Sequence, residues 1–177
     1  MKLDFLEKGK KYTAKIYSDD APLTTKTKVK IEQITVYRDT TQLLKGITGD
    51  TMEIEIVIEA PTADEFGVKV LCDQDGGDGF TISSGKGSKT LKVGYIDPPF
   101  ELKEGEDLTL RIFIDKNMIE VFANDRQAAM AWHEYKPKDL HLSLFSKGGD
   151  LKVKRISAWQ MKSINPKVAT KLKGNTQ

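Results

Sequence analysis

Residues 107–149, DLTLRIFIDKNMIEVFANDRQAAMAWHEYKPKDLHLSLFSKGG, decide the fold. Leu108, Leu110, Ile112 and Ile114 recur at every second position, Lys116-Asn117 turns the chain, and Ile119, Val121 and Ala123 resume the period. Side chains of a strand alternate between its two faces, so this pattern predicts an antiparallel hairpin with one buried face. Asn124-Asp125 supplies the next turn, and Leu140, Leu142 and Leu144 mark a further strand that stops at Gly148-Gly149. The block predicts a β-sandwich.

The same reading extends in both directions. Lys10 to Tyr17 and Lys26 to Tyr37 are rich in β-branched and aromatic residues and are separated by the turn-like Ser18-Asp19-Asp20-Ala21-Pro22. Met52, Ile54, Ile56 and Ile58 point inward while Glu53, Glu55 and Glu59 line the outward side. Phe66 to Cys72 follows, and the Gly- and Asp-rich stretch 73–79 leads to the hairpin of Phe80 to Ser83 with Lys89 to Gly94. Pro98-Pro99 forces an extended connection. Leu151 to Met161 is a last strand placing Val153, Ile156 and Trp159 in the core, with a period irregularity near Arg155 that predicts a bulge. These elements predict an all-β, antiparallel, lectin-like (concanavalin-like) sandwich over residues 46–163. Residues 1–45 are expected as an extra β segment or the remnant of a neighbouring domain, and 164–177 as a flexible basic tail.

Composition narrows the partners. The chain has 177 residues, 38% hydrophobic and 31% charged, enough for one substantial core. Lys and Arg total 28 against 26 Asp and Glu, and the net charge of +2 creates no field that would draw nucleic acid or a membrane surface. No apolar run reaches membrane-span length, and Met1-Lys2-Leu3-Asp4 lacks the pattern of a signal peptide, which implies a cytoplasmic protein or an internal or mature segment. Cys72 is the single cysteine, so no intrachain disulfide forms, and its strand-like setting predicts a buried, inert thiol.

Motifs for chemistry fail on inspection. The stretch Gly79 to Lys86 lacks P-loop spacing and has Gly87 where a Mg²⁺-holding hydroxyl is needed. His133-Glu134 precedes Pro137, which excludes a zinc-binding helix, and His141 is expected on the strand face opposite the leucines. Asp73, Asp75 and Asp78 offer oxygen ligands for Ca²⁺ without the spacing of an EF-hand, and a plain acidic hairpin is the alternative. Trp132, Tyr135 and Tyr95, with Asn124, Asp125 and Gln127 near in sequence, are the candidate carbohydrate-binding residues, since rings stack on sugars while amides and carboxylates orient hydroxyls. Packing is the competing role for Trp132.

The runs Leu110-Arg-Ile-Phe-Ile-Asp115 and Ile119-Glu-Val-Phe-Ala-Asn-Asp125, then Leu144-Phe145, Gly148-Gly149 and Trp159, resemble the carboxy-terminal β-sandwich of glycoside hydrolase family 32, the invertases, inulinases and levanases. A shorter stretch, Gly9-Lys-Lys-Tyr-Thr-Ala-Lys-Ile-Tyr-Ser-Asp-Asp20, resembles the terminal β-domain of family 97. The first resemblance implies an accessory module beside a five-bladed catalytic propeller, acting on fructan-type substrates, in a family often extracellular or periplasmic. The propeller's catalytic motifs are absent: Arg38-Asp39 is followed by Thr40 where that family has proline, and Cys72 follows Leu71 instead of a glutamate. No carboxylate pair suited to the roughly 5–5.5 Å geometry of a retaining glycosidase is evident, Asp115 and Glu120 flanking a turn as solvated charges. Catalysis by the isolated chain is not expected, nor is a required cofactor. An independent carbohydrate-binding module and a structural or assembly domain are the alternatives.

Overall fold

The computed structural model describes strands at residues 2–7 and 10–17 and the continuous segment 28–161, with side chains from Val29 onward. The expected turn at 18–22 and tail at 164–177 lie outside the described residues. Those residues contain thirteen strands and no helix. They are β1 (Lys2–Glu7), β2 (Lys10–Tyr17), β3 (Lys28–Val36), β4 (Thr40–Thr48), β5 (Thr51–Ile58), β6 (Glu65–Cys72), β7 (Phe80–Ser84), β8 (Lys92–Val93), β9 (Leu108–Asp115), β10 (Met118–Ala123), β11 (Gln127–Trp132), β12 (His141–Lys147) and β13 (Leu151–Gln160).

Two antiparallel sheets form the sandwich. The larger runs β1-β2-β3-β13-β5-β9-β10-β11 and the smaller β4-β12-β6-β7-β8. Ile54, Ile56, Leu110, Ile112 and Val121 of the first and Val68, Val70, Ile82, Leu142 and Leu144 of the second are buried in one core. Each such side chain contributes about 1.5–3 kcal/mol relative to exposure, an upper bound because unfolded chains already bury some apolar surface. Residues 28–48 are part of both layers: β3 pairs with β13, and β4 pairs with β12. Residue 45 lies within β4, next to buried Leu44.

The hairpin block behaves as its alternation predicts, with Ile114 opposite Ile119 and Ile112 opposite Val121. At the β10–β11 turn both Asn124 (φ 48°) and Asp125 (φ 51°) are left-handed, and the Arg126 N–H donates to the Ala123 carbonyl at 3.1 Å. Two positive φ values are the type I′ geometry that matches strand twist, and Asn and Asp tolerate it better than most residues. Asn124 also ties the turn to β9. Its amide oxygen accepts the Thr109 N–H at 2.7 Å, and its amide nitrogen donates to Glu106 Oε1 and the Asp107 carbonyl, both at 2.9 Å. Arg126 forks onto Glu106 at 2.5 and 2.9 Å, donates to the Glu101 carbonyl at 2.6 Å and lies over the Phe100 ring at 5.0 Å. The Arg126 guanidinium, the Lys103 N–H and the Asn124 amide hold the Glu106 carboxyl down to about 2.

Register shifts in β13 and β6 change which side chains face the core. The register of β13 against β5 shifts between Val153 and Arg155, as the period irregularity predicts. Beyond it Ile156 and Ala158 are buried, and Trp159 stands opposite Glu53 on the outer face. The expected core position of Trp159 is thereby corrected. In β6 the register against β12 shifts where Leu71 takes φ 52°, bringing Cys72 beside Ser143 with Sγ and Oγ 3.8 Å apart. The thiol is buried, and burial raises its pKa.

Ile114→Asp places a carboxylate at a 2%-exposed site and is expected to destabilise the fold by about 4 kcal/mol or more, against about 1 kcal/mol for Ile114→Val, as measured by urea unfolding. A wild-type-like unfolding midpoint for Ile114→Asp would contradict the strand assignment. For Glu106 the folded pKa is depressed, so its stabilising contribution is present above the unfolded value near 4.5 and is lost as pH falls towards about 2. Glu106→Gln is expected to melt below wild type at neutral pH, the gap closing across that acid window; parallel melting curves would rule the clamp out.

Candidate functional site

Three of the four exposed large apolar side chains among the described residues gather at the β11 edge, the fourth, Tyr37, lying between β3 and β4. Gln127, Ala129 and Ala131 turn inward, so Ala128, Met130 and Trp132 turn outward. Trp132 is 53% exposed and Met130 48%, and beside them Tyr95 is 69% exposed. Tyr95 arrives on a tight turn in which Val93 and Ile96 exchange backbone hydrogen bonds and Gly94 takes φ +59°. A Cβ on Gly94 would lie 2.3 Å from the Phe80 ring, so glycine both permits the conformation and clears the contact. The Tyr95 phenol oxygen accepts the Trp132 N–H at 3.3 Å, covering one donor of the open edge.

Inward from this edge, Met118 is opposite Trp132 and Glu120 opposite Met130. Phe113 and Phe122 meet edge to face at 6.0 Å and 88°. Arg111 lies over Phe113 at 5.2 Å and reaches Glu53 through two nitrogens at 2.6 and 2.8 Å. Arg155 pairs with Glu55 at 2.5 Å and Lys152 with Glu59 at 3.7 Å, which accounts for the three outward carboxylates of the sequence. Asp115 is opposite Met118 and Glu120 opposite Phe113, on strands flanking the Lys116-Asn117 turn.

The six candidate carbohydrate-binding residues separate into three places. Tyr95 and Trp132 are together. Tyr135 donates its hydroxyl to Asp50, and Lys116, 2.5 Å from the same carboxylate oxygen, lies over its ring at 5.4 Å. Burial opposes ionisation of Asp50, but the bonds from Lys116 and Tyr135 outweigh it and keep the carboxyl below its ordinary range. Asn124, Asp125 and Gln127 are at the far end of the β10–β11 hairpin from Trp132, about 17 Å away at roughly 3.4 Å per residue. The Asn124 amide is committed to Thr109, Glu106 and Asp107, and Gln127 Nε2 donates to the Ala128 carbonyl at 2.8 Å.

The acidic hairpin is organised around its own backbone. Asp73 accepts N–H groups from Gly77 at 2.8 Å, Asp75 at 3.0 Å and Asp78 at 3.3 Å, and the Gly77 bond leads in holding its carboxyl below the usual range. Asp78 is 3.6 Å from Lys136. Among the described residues no three His, Cys, Asp or Glu side chains converge as metal ligands. His133 meets Phe80 at 5.8 Å, and burial, then Lys136, lowers its pKa. His141 is half-buried opposite Cys72. Met130 is the member of the exposed cluster that sequence reasoning missed. Its signal is the alternation of Ala128, Met130 and Trp132, hidden in an alanine-rich run.

Residues 21–160 match the model of the glycosyl hydrolases family 32 C-terminal domain. Levanase from Bacillus sp. (strain L7) is 30% identical over 144 residues, which cover 69% of this chain and 15% of that protein. Sucrose-6-phosphate hydrolase from Escherichia coli is 39% identical over 69 residues, 38% of this chain and 14% of that protein. The chain thus spans about a seventh of the length of these curated relatives. Among solved structures, fructan 1-exohydrolase IIa from Cichorium intybus superposes with TM-score 0.63 at 14% identity, covering 78% of this chain and 36% of that one. Exo-inulinase from Aspergillus awamori gives 0.62 at 13% identity over 86% of this chain and 35% of that one, a likeness of fold. With a family match spanning nearly all the described residues, the chain belongs to the C-terminal domain family of the family 32 glycosyl hydrolases.

Proposed function

We propose that this chain is the non-catalytic accessory sandwich of a β-fructosidase-type glycoside hydrolase, packing on a catalytic propeller and stabilising it or shaping access for fructan substrates. The observation that carries the reading is the Tyr95–Met130–Trp132 cluster. Soluble surfaces seldom leave Trp, Tyr and Met together in water, and these residue types are enriched where proteins meet. The flanking Glu53–Arg111 and Glu55–Arg155 pairs suit the polar rim of such an interface. Direct glycan binding on the Trp132 ring is a second reading, favoured by its half exposure beside the Tyr95 ring.

The test is a chimera in which residues 21–160 replace the matching segment of the Bacillus levanase. The chimera is expected to hydrolyse levan, while the isolated chain leaves levan, inulin and sucrose intact. Trp132→Ser with Met130→Ser should lower the melting temperature of the chimera more than that of the isolated chain, by an amount corresponding to ~2 kcal/mol. Equal losses in both settings would remove the docking role from this cluster, and hydrolysis by the isolated chain would overturn the accessory reading.

A further inference from the structure

The other sheet of the sandwich carries a concavity whose chemistry differs from that of the Trp132 edge. On the outer face of the five-stranded sheet a groove of about 410 Å³ is lined by residues of the Asp39 turn, β4, β12, β6 and β7. Its volume lies in the range of small-molecule clefts, roughly 300–1,000 Å³. The register explains its make-up: Thr41 is opposite Phe145, Phe145 opposite Gly67, and Lys69 opposite Thr81. Gly67 adds no side chain to this face, so hydroxyl and charged groups surround the centre.

Hydrogen-bonding capacity in the groove exceeds what the fold uses. Among the described residues the hydroxyls of Thr41 and Thr81 have no protein partner. Lys69 Nζ donates once, to the Gly77 carbonyl at 2.6 Å, which leaves two of its three donors for a ligand. Glu65 engages Lys147 through Oε2 at 2.6 Å, leaving Oε1 free to accept. The Thr40 hydroxyl, by contrast, is spent on the Tyr37 carbonyl at 2.7 Å, and that of Ser146 on the Gly149 carbonyl at 2.6 Å. Free donors and free acceptors therefore sit side by side, as a ligand needs whose every hydroxyl both donates and accepts.

Charge and exposure discriminate among ligand classes. Lys69 and Lys147 are balanced by Glu65 and Asp39, so the groove has no net field for a phosphate or sulfate group. Phe145, its only aromatic residue, is 5% exposed and roofed by Lys147 at 5.8 Å, so it offers none of the desolvated apolar anchors on which protein partners rely. We propose that this groove binds a short neutral oligosaccharide, held by hydrogen bonds from Thr41, Thr81, Lys69 and Glu65. It is a site separate from the Trp132 edge, on the other sheet, so a docked catalytic domain and a bound glycan need not compete. The family reading enters only in the choice of first probes.

The test titrates the intact chain with inulin-derived and levan-derived oligosaccharides and with maltohexaose, by calorimetry and by backbone amide chemical shifts. Saturable binding to at least one of them is expected, with shifts centred on residues 40–41, 65–69 and 81. Thr81→Val, nearly isosteric, and Lys69→Met should each raise Kd about tenfold or more while melting like wild type, and Trp132→Ala should leave Kd unchanged. A folded protein that binds none of the three, or whose binding is lost in Trp132→Ala and kept in the groove variants, overturns the proposal. Either result leaves the docking reading standing, because that is read from the melting of the chimera.

Discussion

The apolar layer between the two sheets is the constraint from which the other surfaces follow. Once Ile54, Ile56, Leu110, Ile112 and Val121 are committed inward against Leu142, Leu144, Val68 and Ile82, the pleat leaves their sequence neighbours one direction to point. Glu53, Glu55, Arg111, Phe113, Glu120, Phe122, Met130 and Trp132 are on the outer face because their neighbours are in the core. Likewise Thr41, Phe145, Lys69 and Thr81 converge because β4, β12, β6 and β7 share one register. Neither surface needed its own folding instruction.

The two outer faces nevertheless differ in physical character. On the large sheet, ion pairs such as Arg111–Glu53 and Arg155–Glu55 are open to water and add about 0–1 kcal/mol each, so stability does not account for them. They do place charge beside the aromatic rings of that sheet, and they leave its apolar exposure concentrated at β11, where the sheet ends. On the small sheet the aromatic ring is covered and the hydroxyls are open. A surface meant for a protein and a surface meant for a polyol are expected to differ in this way, the first by desolvating apolar area and the second by exchanging hydrogen bonds with water for hydrogen bonds with sugar.

The degree to which the chain could be read follows the same physics. The β9–β10 hairpin was legible because alternation runs through each strand, from Leu108 to Ile114 and from Ile119 to Ala123, and the following turn carries Asn124 and Asp125, both suited to left-handed backbone. Strand β4 was not, because TTQLLKGIT mixes adjacent leucines with Gly46 and buries only Leu44 and Ile47 in its length. Strand β11 was hidden by QAAMAW, an alanine-rich run with little β-propensity that is held by pairing with β10. Trp159 was assigned to the wrong face because, beyond the bulge at Val153–Arg155, a two-residue period that buries Ile156 also buries Ala158 and turns Trp159 outward. The proximity of Asn124 to Trp132 in sequence misled for a related reason: eight residues of separation along a hairpin can be the full length of its arms. The groove had no sequence signal at all, since its residues span positions 39–147 and none belongs to a recognisable motif.

The strand order adds a last constraint on where a partner can approach. The family match begins at residue 21, while β1 and β2 precede it and extend the large sheet beyond β3. That hairpin covers the β3 edge by backbone pairing from Ala14↔Ile31 to Tyr17↔Lys28. At the opposite end, among the described residues, β11 has no strand beyond it, and Tyr95 satisfies only the Trp132 donor. An open edge flanked by exposed apolar side chains invites indiscriminate strand pairing, and proteins usually suppress it with charge, proline or a bulge. Here the exposed positions are Ala128, Met130 and Trp132, none of them charged, and the contacts on the edge are light: the exposed Tyr95 on the Trp132 N–H and the Gln127 amide on the Ala128 carbonyl. Retaining such an edge is costly for a free-standing sandwich and sensible for one whose β11 side is occupied, which is why the accessory role accounts for this surface better than an isolated existence would.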